Sequence, residues 1–138
     1  MLIHSEADMI AFGRNFAAEL SAGAVIELIG DVGAGKTTFT RGLAEGLGIE
    51  EPISSPSFTI SRFYQGEKFT LTHYDFYRLD DPGLMADDLA ESIDEPNNIT
   101  VIEWGESIAD ILPEEHYRIA IRYIDENTRK VTVEWKCT

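Results

Sequence analysis

The run Gly30-Asp31-Val32-Gly33-Ala34-Gly35-Lys36-Thr37 has the spacing G-x-x-x-x-G-K-[ST], the phosphate-binding P-loop pattern. Its four fixed positions recur by chance in under about 1% of chains this long. Glycines at 30, 33 and 35 let the backbone curl against phosphate oxygens where side chains would collide. Successive backbone N–H groups and the positive end of a following helix then converge on one spot. In such a loop Lys36 reaches the β- and γ-phosphates, and the Thr37 hydroxyl ligates Mg²⁺. The metal or its waters need a carboxylate from the end of another strand, and Asp75 and Glu103 each follow a strand-like run. Either could serve.

These residues must be positioned by regular elements. The apolar run Ala24–Ile29 reads as the strand entering the loop, and Thr37–Leu47 as the helix leaving it, with Gly48 as its C-cap. Upstream, Leu2–His4 reads as a short strand. Ser5 with Asp8 then opens a helix whose stripe of Met9, Phe12, Phe16 and Leu20 is expected to end at Gly23. Gly42 and Gly46 weaken the second helix by propensity. Glu27 is a misfit in a strand buried on both faces. Phe58–Tyr64 and Phe69–Asp75 alternate like strands around a turn at Gln65–Lys68, and an acidic helix is expected over Leu84–Ile93. Ile99–Ile102 is a short strand leading to Glu103, Ser107–Leu112 a helical turn, and Tyr117–Tyr123 with Val131–Trp135 a closing pair of strands. The order βαβαββαβββ predicts a three-layer α/β fold, P-loop NTPase-like, whose central sheet is mixed and partly antiparallel. Residues 1–138 are expected to form a single domain.

Composition limits the partners. The chain carries 25 acidic residues against 11 Lys and Arg, a net charge of −14. Nucleic acid is bound largely through Lys and Arg, so direct tight binding of RNA or DNA is not expected. Leu79–Glu115 contains acids and no Lys or Arg; it reads as a solvated acidic face or as a docking face for a basic partner. No run suits a membrane span, and Met1–Asp8 lacks the features of a signal peptide. The one cysteine, Cys137, has no internal partner, which fits a cytoplasmic setting.

A resemblance covers nearly the whole chain. The extended loop Gly30–Gly42 resembles that of the TsaE family, small bacterial ATPases needed to make threonylcarbamoyladenosine in tRNA. Ser55-Pro56-Ser57-Phe58-Thr59 is similar to the family's switch-like loop, and His73-Tyr74-Asp75-Phe76-Tyr77-Arg78 to its H-x-D-x-Y-R segment. Ile102-Glu103-Trp104 resembles its I-E-W strand end, and Leu112-Pro113 its late L-P. Ser57 replaces the usual Thr and Val32 the usual Leu, each keeping the relevant chemistry.

The resemblance implies roles for single residues. Lys36 and the loop Asp31, Val32, Gly33, Ala34, Gly35, Thr37 and Thr38 hold the triphosphate of ATP. Thr37 and Glu103 ligate Mg²⁺, and Asp75 is the Walker-B-like acid. The catalytic set is thus Asp75, Glu103 and Lys36. Ser55–Thr59 senses the γ-phosphate, Trp104 packs beside the site, and Ser5 and Arg129 border the adenine. Arg78 contacts phosphates or partner, or makes a structural salt bridge; His73 is a packed or hydrogen-bonded strand residue rather than a base.

The expected activity is Mg²⁺-dependent ATP hydrolysis, weak in isolation because no arginine finger or lid is evident. By resemblance it resets the TsaD–TsaB pair, whose TsaD member transfers the threonylcarbamoyl group; tRNA is met only through that complex. A small-molecule kinase would need a substrate insert and arginines on a lid. A GTPase switch would need an N-K-x-D guanine motif, which the chain lacks.

Overall fold

The computed structural model describes residues 1–30, 34–53, 61–75, 86–103 and 112–136. The elements follow the expected order: β1 (Leu2–Ile3), α1 (Glu6–Ala17), β2 (Val25–Ile29), α2 (Lys36–Gly46), β3 (Ser61–Gln65), β4 (Thr70–Asp75), α3 (Ala86–Asp94), β5 (Asn98–Glu103), β6 (His116–Asp125) and β7 (Thr128–Lys136). The seven strands form one sheet in the order β1-β7-β6-β2-β5-β4-β3. β6, β2, β5 and β4 run parallel, while β1, β7 and β3 pair antiparallel at the margins. The centre is parallel because β2 and β5 are apolar enough to be covered on both faces.

Side chains alternate across each strand, so the register sorts the two faces. Ile26 and Leu28 of β2, Val101 of β5, Leu71 of β4 and Ile119 and Ile121 of β6 join Phe16 of α1 with Phe39 and Leu43 of α2 in one core cluster. Phe12 and Phe39 bring their ring centroids to 5.7 Å, and Phe16 meets Tyr117 edge-on at 5.1 Å. Glycine makes this helix pair possible. A Cβ on Gly13 would lie 2.5 Å from the Phe39 carbonyl oxygen, and one on Gly42 would strike the backbone of Ile10. Gly42 thus weakens α2 by propensity yet lets α1 close onto it.

Two local expectations are corrected. α1 ends at Ala17, with Ala18 as C-cap, six residues before Gly23. Backbone bonds from Glu19 to Phe16 and from Leu20 to Ala17 continue as a turn, and Gly23 (φ 87°) instead serves the bend into β2. Leu47 is the C-cap of α2, and Gly48 (φ 75°) follows it in the left-handed conformation. Glu27 also finds its explanation. It lies directly opposite Arg118 on β6, whose Nε donates to Glu27 Oε1 at 2.9 Å, so a cross-strand cation balances the buried acid.

Candidate functional site

The parallel register brings three strand ends together. Leu28 of β2 lies opposite Glu103 of β5, and Glu103 lies opposite Asp75 of β4. The chain leaving β2 at Ile29 therefore enters the loop beside both candidate carboxylates. Strands of an open α/β sheet present ligand sites at this carboxyl edge. α2 starts at Lys36, and its N-cap is Gly35 at φ 113°, a conformation that an L side chain would strain.

Lys36 is only 6% exposed. Its Nζ donates to the Gly30 carbonyl at 2.7 Å and lies 3.6 Å from Glu103 Oε1. Lys36 thus reaches back to the end of β2, and its charge is balanced by a carboxylate from the neighbouring strand. Glu103 is 3% exposed, and its Oε2 accepts from His73 Nε2 at 2.5 Å. Asp75 is half-buried at the end of β4. Thr37 and Thr38 occupy the first turn of α2, both half-buried. Thr40 turns its hydroxyl back onto the Lys36 carbonyl at 2.9 Å and so belongs to the helix.

Beside this helix start lies a cavity of about 330 Å³, bordered by Ser5, Met9, Gly35, Thr38 and Arg129. Its size is at the lower end of ligand pockets, roughly 300 Å³ and upward. Ser5 caps α1 there, its hydroxyl accepting from the Asp8 N–H at 3.0 Å. Arg129 reaches across from β7: Nε donates to the Ala34 carbonyl at 3.1 Å and Nη1 to the Asp125 carbonyl at 2.6 Å. Its guanidinium stands 4.6 Å from the centre of the Tyr123 ring, a cation–π contact. In the same hairpin the Asn127 N–H donates to Asp125 and holds that carboxyl below its usual range. Arg129 therefore ties the β6–β7 hairpin to the phosphate loop as well as lining the cavity.

The register and the core bring Lys36, Thr37, Asp75 and Glu103 to one sheet edge and place Ser5, Gly35, Thr38 and Arg129 around the adjoining cavity. Ala34 is buried. Asp31, Val32 and Gly33, the Ser55–Thr59 loop, Arg78 and Trp104 lie outside the described residues, as does most of the expected Ser107–Leu112 turn. The acids of α3 (Asp87, Asp88, Glu91 and Asp94) are exposed. His73, read from the sequence as a strand residue, turns out to hold Glu103. The period-2 pattern already put His73 on the face of Asp75; only the β4–β5 register showed which carboxylate it meets.

A family model described as "Threonylcarbamoyl adenosine biosynthesis protein TsaE" matches residues 3–131. The chain belongs to the TsaE family. Among curated TsaE relatives, each described as a tRNA threonylcarbamoyladenosine biosynthesis protein, that of Treponema pallidum is 40% identical over 94% of this chain and 95% of its own length. The Bacillus subtilis relative is 39% identical over 88% of this chain and 76% of its own. A crystal structure described as B. subtilis YdiB superposes with a TM-score of 0.81 at 30% identity, covering all of this chain and 84% of that one. The fold is accordingly a P-loop NTPase-like α/β fold with a mixed sheet. Members of the TsaE family act in tRNA threonylcarbamoyladenosine biosynthesis. No helix among the described residues is long and apolar enough to cross a membrane.

Proposed function

We propose that this TsaE-family chain is a Mg²⁺-dependent ATPase that binds and resets the TsaD–TsaB transferase pair in the cytoplasm, without itself transferring the threonylcarbamoyl group. The observation carrying this reading is the ion pair between Lys36 at the start of α2 and Glu103 at the end of β5. A cation and a carboxylate buried at the mouth of a glycine loop suit a triphosphate and its metal. Lys36 would hold the β- and γ-phosphates and Glu103 the metal.

Thr37 and Glu103 offer the two oxygens that a hydrated Mg²⁺ accepts from protein in such sites. When bound, the ion would supply positive charge to offset that of the phosphates. The amides at the start of α2 orient the phosphates, and Asp75 on the adjoining strand orients the attacking water. The cavity bordered by Ser5 and Arg129 would hold the base. Hydrolysis is slow in the isolated chain because positioning and exclusion of water are completed by the partner.

The test is a reconstituted threonylcarbamoyl-transfer assay on tRNA with TsaD–TsaB and Lys36→Ala or Glu103→Ala chains. Both variants are expected to lose multiple turnover of the transferase while single-turnover transfer survives. Multiple turnover by both variants at the wild-type rate overturns the ATPase role.

A further inference from the structure

His73 is fully buried within β4, opposite Val101 and one step beneath the Asp75–Glu103 pair. Its two ring nitrogens fare differently. Nε2 lies 2.5 Å from Glu103 Oε2, and Nδ1 is buried without a hydrogen-bond partner among the described residues. As a packing residue this is a poor choice, since an apolar ring of similar volume would leave no polar atom unpaired. What an apolar ring cannot supply is the N–H aimed at Glu103.

Glu103 needs such a partner. The last torsion of a glutamate is broad and roughly two-fold, so an untethered carboxylate samples many orientations. With Oε2 held by His73, Oε1 is the oxygen that faces Lys36, at 3.6 Å. We propose that His73 is a positioning residue for Glu103: its Nε2–H holds Oε2 so that Oε1 is presented to the metal. This rests on the nucleotide–metal reading above. Outer partners of metal ligands typically change metal affinity about 10- to 100-fold.

The experiment uses Mn²⁺ as a paramagnetic stand-in, titrated by EPR into the full chain loaded with a non-hydrolysable ATP analogue. Calorimetry in excess chelator gives the analogue's metal-free affinity. His73→Phe, which has no donor, and His73→Asn, whose amide falls short of Glu103, are expected to weaken Mn²⁺ binding about tenfold. Metal-free analogue affinity should stay within about twofold, because no direct contact to phosphate is removed. His73→Gln, whose amide reaches the Nε2 position, should recover most of the Mn²⁺ affinity. In a Glu103→Gln background, His73→Asn should cost nothing further, the signature of a residue acting through another.

Wild-type Mn²⁺ affinity in His73→Asn overturns the proposal. So does an equal loss of metal-free and metal-dependent binding in both His73→Asn and His73→Gln, which would make His73 purely structural. If the wild-type chain binds no analogue at all, the nucleotide reading itself falls, and the chelator arm reports that separately.

Discussion

His73 and Tyr74 are neighbours in one strand, yet they belong to two unlike polar clusters. Strand alternation sends them to opposite faces of the sheet. On the His73 face, Lys36, Glu103 and His73 are all nearly buried, two of them charged, and one ring nitrogen has no partner among the described residues. On the Tyr74 face the polar groups are matched. The phenol meets Asp88 Oδ2 at 2.9 Å and Ser92 Oγ at 2.6 Å. Asn98 accepts from Thr70 at 2.8 Å and Thr72 at 3.1 Å and donates to the Ser92 carbonyl at 2.9 Å. That network joins α3 to β4 and β5. Matched polar groups fasten an element, whereas a buried charge pair beside a ring nitrogen with no partner among the described residues stores unmet interactions that a ligand can satisfy.

The contrast can be broken at its charged end. Glu103→Gln keeps the shape and removes the charge, so ATP turnover in the presence of the partner pair is expected to fall about 100-fold or more. Phosphate release measures it, and a rate near wild type would erase the distinction between the clusters.

Tyr74→Phe tests the other face. It leaves Asp88 and Ser92 without the phenol and should lower the unfolding free energy by about 0.5–1.5 kcal/mol, read by urea denaturation. ATP affinity should stay within about twofold. A matching loss of nucleotide binding would mean that the two faces are not separable.

A smaller effect sharpens the comparison in alkali. Burial is the main cause that pushes the Tyr74 hydroxyl from 10.0 up to about 12. The folded state thus favours the protonated phenol. Its contribution to stability is complete below about pH 10 and is lost as pH rises through about 12. The stability gap between wild type and Tyr74→Phe should therefore narrow above pH 10. A constant gap would show that the phenol is not titrating from a buried position.

Much of this was legible because its causes are local. Helix and strand periodicities set the element order, and the spacing from Gly30 to Thr37 carries the P-loop pattern. A glycine after an apolar stripe is a generic stop signal, so Gly23 reads as a helix end, whereas the turn through Leu20 closes the helix earlier. Glu27 was opaque for the opposite reason. Its partner Arg118 lies 91 residues away and meets it only through the β2–β6 register.

The sequence by itself determined the strand–loop–helix unit, the two acids at strand ends, and the family, since each is written in contiguous residues. Only the tertiary structure decided that Glu103 takes Lys36, that His73 holds Glu103, and that Arg129 crosses to Ala34. Those pairings depend on strand order and register, which are set by how the whole sheet buries its apolar faces.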